Sequence, residues 1–214
     1  MSKIIDISNL PTMLPIFPLP GAIVLPSGIL PLNIFEPRYL AMVDSVLGSH
    51  RMIGMIQPKE VNDSTNGLYP VGCGAKIVSF SETADNRYII ELKGIVRFHI
   101  ITELESSNGF RIIKPNWILY KRDLKLNFEN INTTKLLHQL KVYFDKNNLN
   151  VDFDQISKIP SEQIIAAIPQ ICSFKPNEKQ AILEAMSEQD IVEVLISLLK
   201  MNLAGDNNNE ETIN

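Results

Sequence analysis

The chain has 214 residues, of which 45% are hydrophobic and 21% charged, with a net charge of -4 and a sequence pI of about 5.4. This is the composition of a globular protein of one or two domains, long enough to bury a core without disulfides or metal. The acidic balance speaks against a nucleic-acid binder driven by phosphate neutralisation and against attraction to anionic membranes.

Residues 1–11, MSKIIDISNLP, lack the apolar centre of a secretory signal, and no apolar run approaches the length of a membrane helix, so a cytoplasmic location is expected. Seven of the thirteen prolines then fall between Pro11 and Pro37. A helix cannot run through that density, because each proline removes an N–H donor and clashes with the preceding turn. The segment is nevertheless strongly apolar. It predicts short strands near 13–17 and 29–34 joined by packed loops, with the prolines at edges, ends or bulges. Pro37 opens a helix whose apolar face is Tyr39, Leu40, Met42, Val43, Val46 and Leu47, and Gly48 ends it.

Met52–Ile56 is a short apolar run, and 62–67 is polar and turn-rich. Two longer strands, 71–80 and 88–101, flank the polar turn SETADN and predict a hairpin, with Gly94 marking a bulge or close approach. A further strand is expected over 110–120. From residue 128 the apolar spacing becomes helical. Leu136, Leu137, Leu140, Tyr143 and Phe144 form one stripe, and Ile164, Ile165, Ala167, Ile168 and Ile171 a second. Pro176 starts a third helix, carrying Ala181, Ile182 and Leu183. Ser187, with acidic Asp190 three residues on, has the form of an N-cap for a fourth helix bearing Ile191, Val194, Leu195, Leu198 and Leu199. The polar end, 204–214, is expected to be disordered. The domains are therefore placed at 11–122 and 128–203.

The sequence offers no chemistry by motif. Gly72-Cys73-Gly74-Ala75-Lys76 has the wrong spacing for a phosphate loop, and Ile77 stands where a magnesium-binding hydroxyl would be. His50, His99 and His138 lack neighbours at metal-ligand spacing, and Cys73 and Cys172 lie among apolar residues with no CxxC pair. No catalytic residue, metal ligand or cofactor is assigned. Arg111, Lys114, Lys121, Arg122 and Lys125 form a mild basic stretch near Trp117 and Tyr120. Two readings stand: a solvated strand face with core aromatics, favoured here, or an RNA surface with stacking rings.

The stretch Leu14–Val43, LPIFPLPGAIVLPSGILPLNIFEPRYLAMV, resembles the opening signature of the Lon protease N-terminal domain family, through Pro15, Phe17, Pro18, Pro20, Gly21, Pro26, Pro31 and the block Ile34-Phe35-Glu36-Pro37-Arg38-Tyr39. Gly67–Phe80 and Glu91–Ile100, with Gly94, Arg97 and Phe98, resemble two of its strands, and Phe174–Ala185 is similar to the helical half of stand-alone bacterial members. In those, a serine usually stands where Lys175 is found here; its loss removes a side-chain N-cap. The resemblance implies an α+β fold: a Pro-rich, PUA-like β pseudo-barrel subdomain followed by a small α-helical bundle. It also implies a non-enzymatic substrate-recognition module without ATPase or peptidase domains. The implied partners are unfolded or damaged polypeptides, with a protease or chaperone as a further candidate, through apolar surface. RNA binding by fold analogy is the alternative. The candidate partner-binding residues are Phe35, Glu36, Arg38, Tyr39 and Met42. Phe35 and Tyr39 read first as core, and Glu36 and Arg38 as a pair tying the helix start to neighbouring backbone. The methionines Met42, Met52 and Met55 are adaptable contacts only if exposed.

Overall fold

The computed structural model describes residues 6–59, 67–105, 109–125, 128, 131–156 and 158–205. The chain divides into two units, Met1–Leu126 and Asn127–Asn214. The fold class is α+β.

The first unit holds strands β1 (Leu14–Pro18), β2 (Ile29–Ile34), β3 (Met52–Ile56), β4 (Val71–Glu82), β5 (Tyr88–Leu104) and β6 (Arg111–Asn116), with helix α1 (Pro37–Leu47) between β2 and β3. The strand order is β2-β5-β4-β3-β1-β6, and β6 also pairs with β5. That second pairing closes a five-stranded barrel and leaves β2 attached to β5 alone, as the outer strand of a wing. All pairings are antiparallel except β1 with β3. One strand can serve both barrel and wing because β5 is 17 residues long and its ladders shift register near Gly94 and again between Ile100 and Thr102.

The strand prolines follow a single rule. Pro15 is paired only with β6, Pro18 only with β3, and Pro31 and Pro115 only with β5. Each sits where a neighbour runs along one side alone, so its missing N–H need not break a two-sided ladder.

Glycines and aromatic rings fill the barrel. A Cβ on Gly72 would lie 2.5 Å from the Phe98 ring, and one on Gly74 2.7 Å from the Trp117 ring. The two rings meet edge to face at 5.7 Å, and the Trp117 indole donates to the Pro11 carbonyl at 3.0 Å. The glycine pattern is thus a packing device. Gly94 serves a different approach: a Cβ there would lie 2.1 Å from the Leu25 carbonyl oxygen, and its own N–H and C=O bond Gly28 and Ser27. The loop before β2 therefore lies directly on β5.

One sequence expectation needs correction in this unit. The strand expected over 110–120 stops at Asn116, because the chain must turn there for Trp117 to enter the barrel; residues Ile118–Lys125 form a kinked 3-10 segment. That segment carries Asp123, which accepts from Arg97 at three donors: the backbone N–H at 2.9 Å, Nε at 2.8 Å and Nη2 at 2.7 Å. Both partners are buried, and the Arg97 guanidinium lies 4.6 Å from the Tyr120 ring centre.

The second unit contains α2 (Thr134–Lys146), α3 (Phe153–Ile156), α4 (Ser161–Ile171), α5 (Pro176–Glu184) and α6 (Glu188–Gly205). Leu136, Leu140, Tyr143 and Phe144 of α2 and Ile191, Leu195, Leu198 and Leu199 of α6 are buried at helical spacing. The Tyr143 hydroxyl accepts from the Ser173 N–H at 3.0 Å. Ser187 caps α6 reciprocally: Asp190 N–H donates to Ser187 Oγ at 3.1 Å, and Ser187 N–H to Asp190 Oδ2 at 3.0 Å. At α5, Glu178 accepts from the Lys175 N–H at 2.7 Å, but Lys175 supplies no acceptor in return. The face expected for α4 is shifted: Ile165, Ala166, Ile168 and Pro169 are buried, whereas Ile171 is exposed. Helix α6 runs to Gly205, so residues 204 and 205 are helical where a disordered tail was expected; 206–214 lie outside the described residues, as does most of the expected loop at 62–67.

Candidate functional site

The wing formed by β2, β5 and the distal half of β4 has two unlike faces. Residues directly opposite one another on antiparallel strands share a face. On one face, Leu30, Leu92 and Ile77 form one row across the three strands and Leu32, Ile90 and Phe80 the next. Leu92, Ile77 and Ile90 are buried there. The other face carries three rows: Ile29, Lys93 and Lys76; Pro31, Glu91 and Ser79; Asn33, Ile89 and Ser81. All nine of these residues are exposed. Extending the register by one pair opposes Phe35 to Arg87, and the Arg87 guanidinium does lie over the Phe35 ring at 5.9 Å. The face thus runs about 20 Å from Ile29 to Phe35 at about 3.3 Å per residue. Its apolar members stand well clear of the surface: Phe35 is 62% exposed, Ile89 47% and Ile29 43%.

The sequence-predicted residues separate at this end of the wing. Phe35 is on the surface, not in the core as expected. Tyr39 is buried, with its ring 4.2 Å from that of Phe17, and burial raises its hydroxyl pKa. Met42, Met52 and Met55 are all buried, so none offers a surface contact. Glu36 and Arg38 are half exposed and bond each other (Nε to Oε2 at 3.0 Å, Nη2 to Oε2 at 2.8 Å) instead of neighbouring backbone. The Arg38 guanidinium also covers the Tyr39 ring at 4.6 Å. The block thus alternates: Ile34 and Tyr39 anchor it, while Phe35, Glu36 and Arg38 face outward.

Other features carry less. Trp117 and Tyr120 are buried, so neither ring is presented for base stacking, and Arg111 is held by Glu103 at 2.6 Å. A cleft of about 280 Å³ beside Lys59, Tyr69 and Ile100 opens next to that ion pair. The Cys73 thiol is buried and its pKa pushed far up, and burial pushes Cys172 up to about 12, which keeps both protonated. Among the described residues, no three His, Cys, Asp or Glu side chains converge as a metal site would require, and no helix is long and apolar enough to cross a membrane.

Residues 13–201 match the family model described as the ATP-dependent protease La (LON) substrate-binding domain. The chain belongs to this Lon substrate-binding family. Among full-length relatives it is 25% identical over 107 residues to Lon protease of Anaeromyxobacter dehalogenans, covering 49% of this chain and 13% of that protein. It is 22% identical over 200 residues to Lon protease of Syntrophus aciditrophicus, covering 90% of this chain, and 24% identical over 208 residues to that of Elusimicrobium minutum, covering 91%. The chain spans only 22% and 24% of those two proteins. The fold is shared with a Lon N-terminal domain protein from Xanthomonas campestris (TM-score 0.61, 20% identity, 87% of this chain and 98% of that one). It is shared equally with the N-terminal domain of a Mycobacterium avium complex Lon protease (TM-score 0.61, 15% identity, 88% and 98%). The Lon substrate-binding domain is a non-catalytic recognition module, and its matched span here takes in both the barrel with its wing and the helical unit.

Proposed function

We propose that this domain engages unfolded or damaged polypeptide through the outer face of the wing, on behalf of a protease or chaperone. The observation that carries the reading is the set of three exposed rows next to exposed Phe35, on a sheet whose opposite face holds the buried Leu92, Ile77 and Ile90. Membership of a substrate-binding family supports a protein ligand. A selector of many clients gains from contacts that do not demand one sequence, and apolar burial at about 25 cal/mol per Å² is non-directional. Phe35, Ile89 and Ile29 supply such contacts; Glu36 and Arg38 form the rim. Pro31 on the outer strand is the kind of residue that blunts an edge against open-ended strand pairing, which leaves the face, and not the edge, as the binding element.

The test is a titration of a labelled, permanently unfolded polypeptide. Ordering the client offsets much of the gain, so dissociation constants of about 1 μM to 1 mM are expected. Phe35→Ala and Ile89→Ser should each weaken binding while leaving the melting temperature unchanged. For a neutral apolar client, salt should have little effect. Tight binding of a mixed RNA pool with a steep salt dependence, and none of the unfolded polypeptide, would refute the reading.

A further inference from the structure

The first row of the wing face contains an arrangement that the apolar reading does not use. Lys76 of β4 and Lys93 of β5 are directly opposite one another and both exposed. Opposite positions hold their Cβ atoms about 5 Å apart, and like charges there repel. Neither ammonium has an ion-pair or hydrogen-bond partner among the described residues, whereas Arg87, Arg97, Arg111 and Arg38 are each held by a carboxylate. Glu91, one row along, is the nearest acidic group by register and makes no ion pair with either lysine. The row continues on β2 with exposed Ile29, so the uncompensated charge borders apolar surface. At the other end of the face stand Ile89 and Phe35.

We propose that the wing face selects extended segments in which bulky apolar side chains are flanked by acidic ones, the carboxylates settling between Lys76 and Lys93. This rests on the reading of the wing as the polypeptide-binding face and names the class of segment it prefers. A carboxylate between two lysines relieves their mutual repulsion as well as pairing with each, so the first acidic residue gains more than an isolated surface ion pair does. The spacing is set by the strand. Lys93 and Ile89 are four residues apart on β5, about 13 Å at about 3.3 Å per residue. An extended client therefore presents its acidic residue about four positions from its apolar anchor. The whole chain carries a net charge of -4 and does not attract acidic polypeptide in general. The preference is consequently local, seen in bound segments and not in long-range association.

The experiment uses the full chain and three fluorescent peptides of about twelve residues, enough to run the length of the face. They share one apolar centre and differ only in flanks of glutamate, glutamine or lysine four positions away. At low salt the glutamate-flanked peptide should bind about three- to tenfold more tightly than the glutamine-flanked one, the order expected of one or two exposed ion pairs, and the difference should shrink as salt is raised. The double variant Lys76→Gln, Lys93→Gln should bind the glutamine-flanked peptide as before and lose the preference. Lys76→Glu, Lys93→Glu should turn it toward lysine flanks. Both lysines are exposed, and an unchanged Trp117 emission and melting temperature confirm that the variants are folded. Equal affinity for all three peptides, or a preference that survives the glutamine variant, overturns the inference while leaving the apolar reading in place. Failure of the glutamine-flanked peptide to bind overturns the apolar reading itself, and the inference with it.

Discussion

Asp123→Ala tests whether the barrel depends on one buried ion pair. The carboxylate accepts three bonds from Arg97, whose side chain is only 2% exposed. Burial by itself would lower the Arg97 pKa, but the hydrogen bonds and charge of Asp123 outweigh it and hold the pKa above its ordinary value. The variant removes the carboxylate that accepts from this buried guanidinium and from the Arg97 backbone N–H. Removing one partner of a buried pair costs about 3–5 kcal/mol. For a unit of 126 residues, an unfolding entropy of about 2.1 cal/mol/K per residue turns this into a fall in Tm of roughly 10–20 °C. Trp117, the single tryptophan, is buried against Phe98 in this unit, so its fluorescence reports the barrel and not the helical unit. The double variant Arg97→Met, Asp123→Leu removes both charges and should recover most of the loss, since apolar replacement of a buried pair is often close to neutral. A loss below about 1 kcal/mol in Asp123→Ala would refute the reasoning, because it would place the pair among solvent-screened surface bridges.

Gly94→Ala should destabilise the barrel by about 2–3 kcal/mol in urea, because the added methyl meets the Leu25 carbonyl, which is backbone and cannot rotate away. Lys175→Ser should stabilise the helical unit by about 0.5–1 kcal/mol by supplying the missing half of the α5 cap, read by far-UV circular dichroism during denaturation. His50 is half-buried and accepts the Met52 N–H through Nδ1, and burial lowers its pKa below 6.5. The unfolded chain then binds the proton first, so the contribution is present above about pH 6.5 and lost as pH falls below it. The Tm followed at Trp117 should accordingly drop on acidification to about pH 5.5, and drop less in His50→Ala.

The parts of the fold that were legible in the sequence are those fixed by local chemistry. The proline block excluded a helix, Pro37 and Gly48 bounded α1, and Ser187 with Asp190 announced the start of α6. What escaped depends on pairing across distance. Asp123 lies 26 residues from Arg97, and no spacing links them. Phe35 was expected in the core because Ile29, Leu30, Leu32 and Ile34 are all apolar, so β2 shows no alternation to say which of its faces is buried. The alternation becomes visible only when β5 is laid beside it, where Lys93, Glu91 and Ile89 mark one side as outward. In α4, the buried stripe lies one residue along from the one its isoleucines suggested, and Pro169 is part of it.

On the proposed function, stability and recognition draw on different residues of the same strands. On β4, Gly72 and Gly74 cannot change without displacing the Phe98 and Trp117 rings, yet two residues further along the same face Lys76 points into solvent. On β5, Arg97 and Phe98 are fixed in the barrel, while Lys93, Glu91 and Ile89 occupy the open side of the wing. Surface substitutions away from buried contacts usually alter stability by less than about 0.5 kcal/mol. The wing face can therefore change its charge and apolar content with little effect on the barrel that holds it in place. On the proposed reading, in which the wing face meets many different polypeptides, the preference for one class of segment could be tuned at Lys76, Lys93 and Phe35 while the fold itself is left intact.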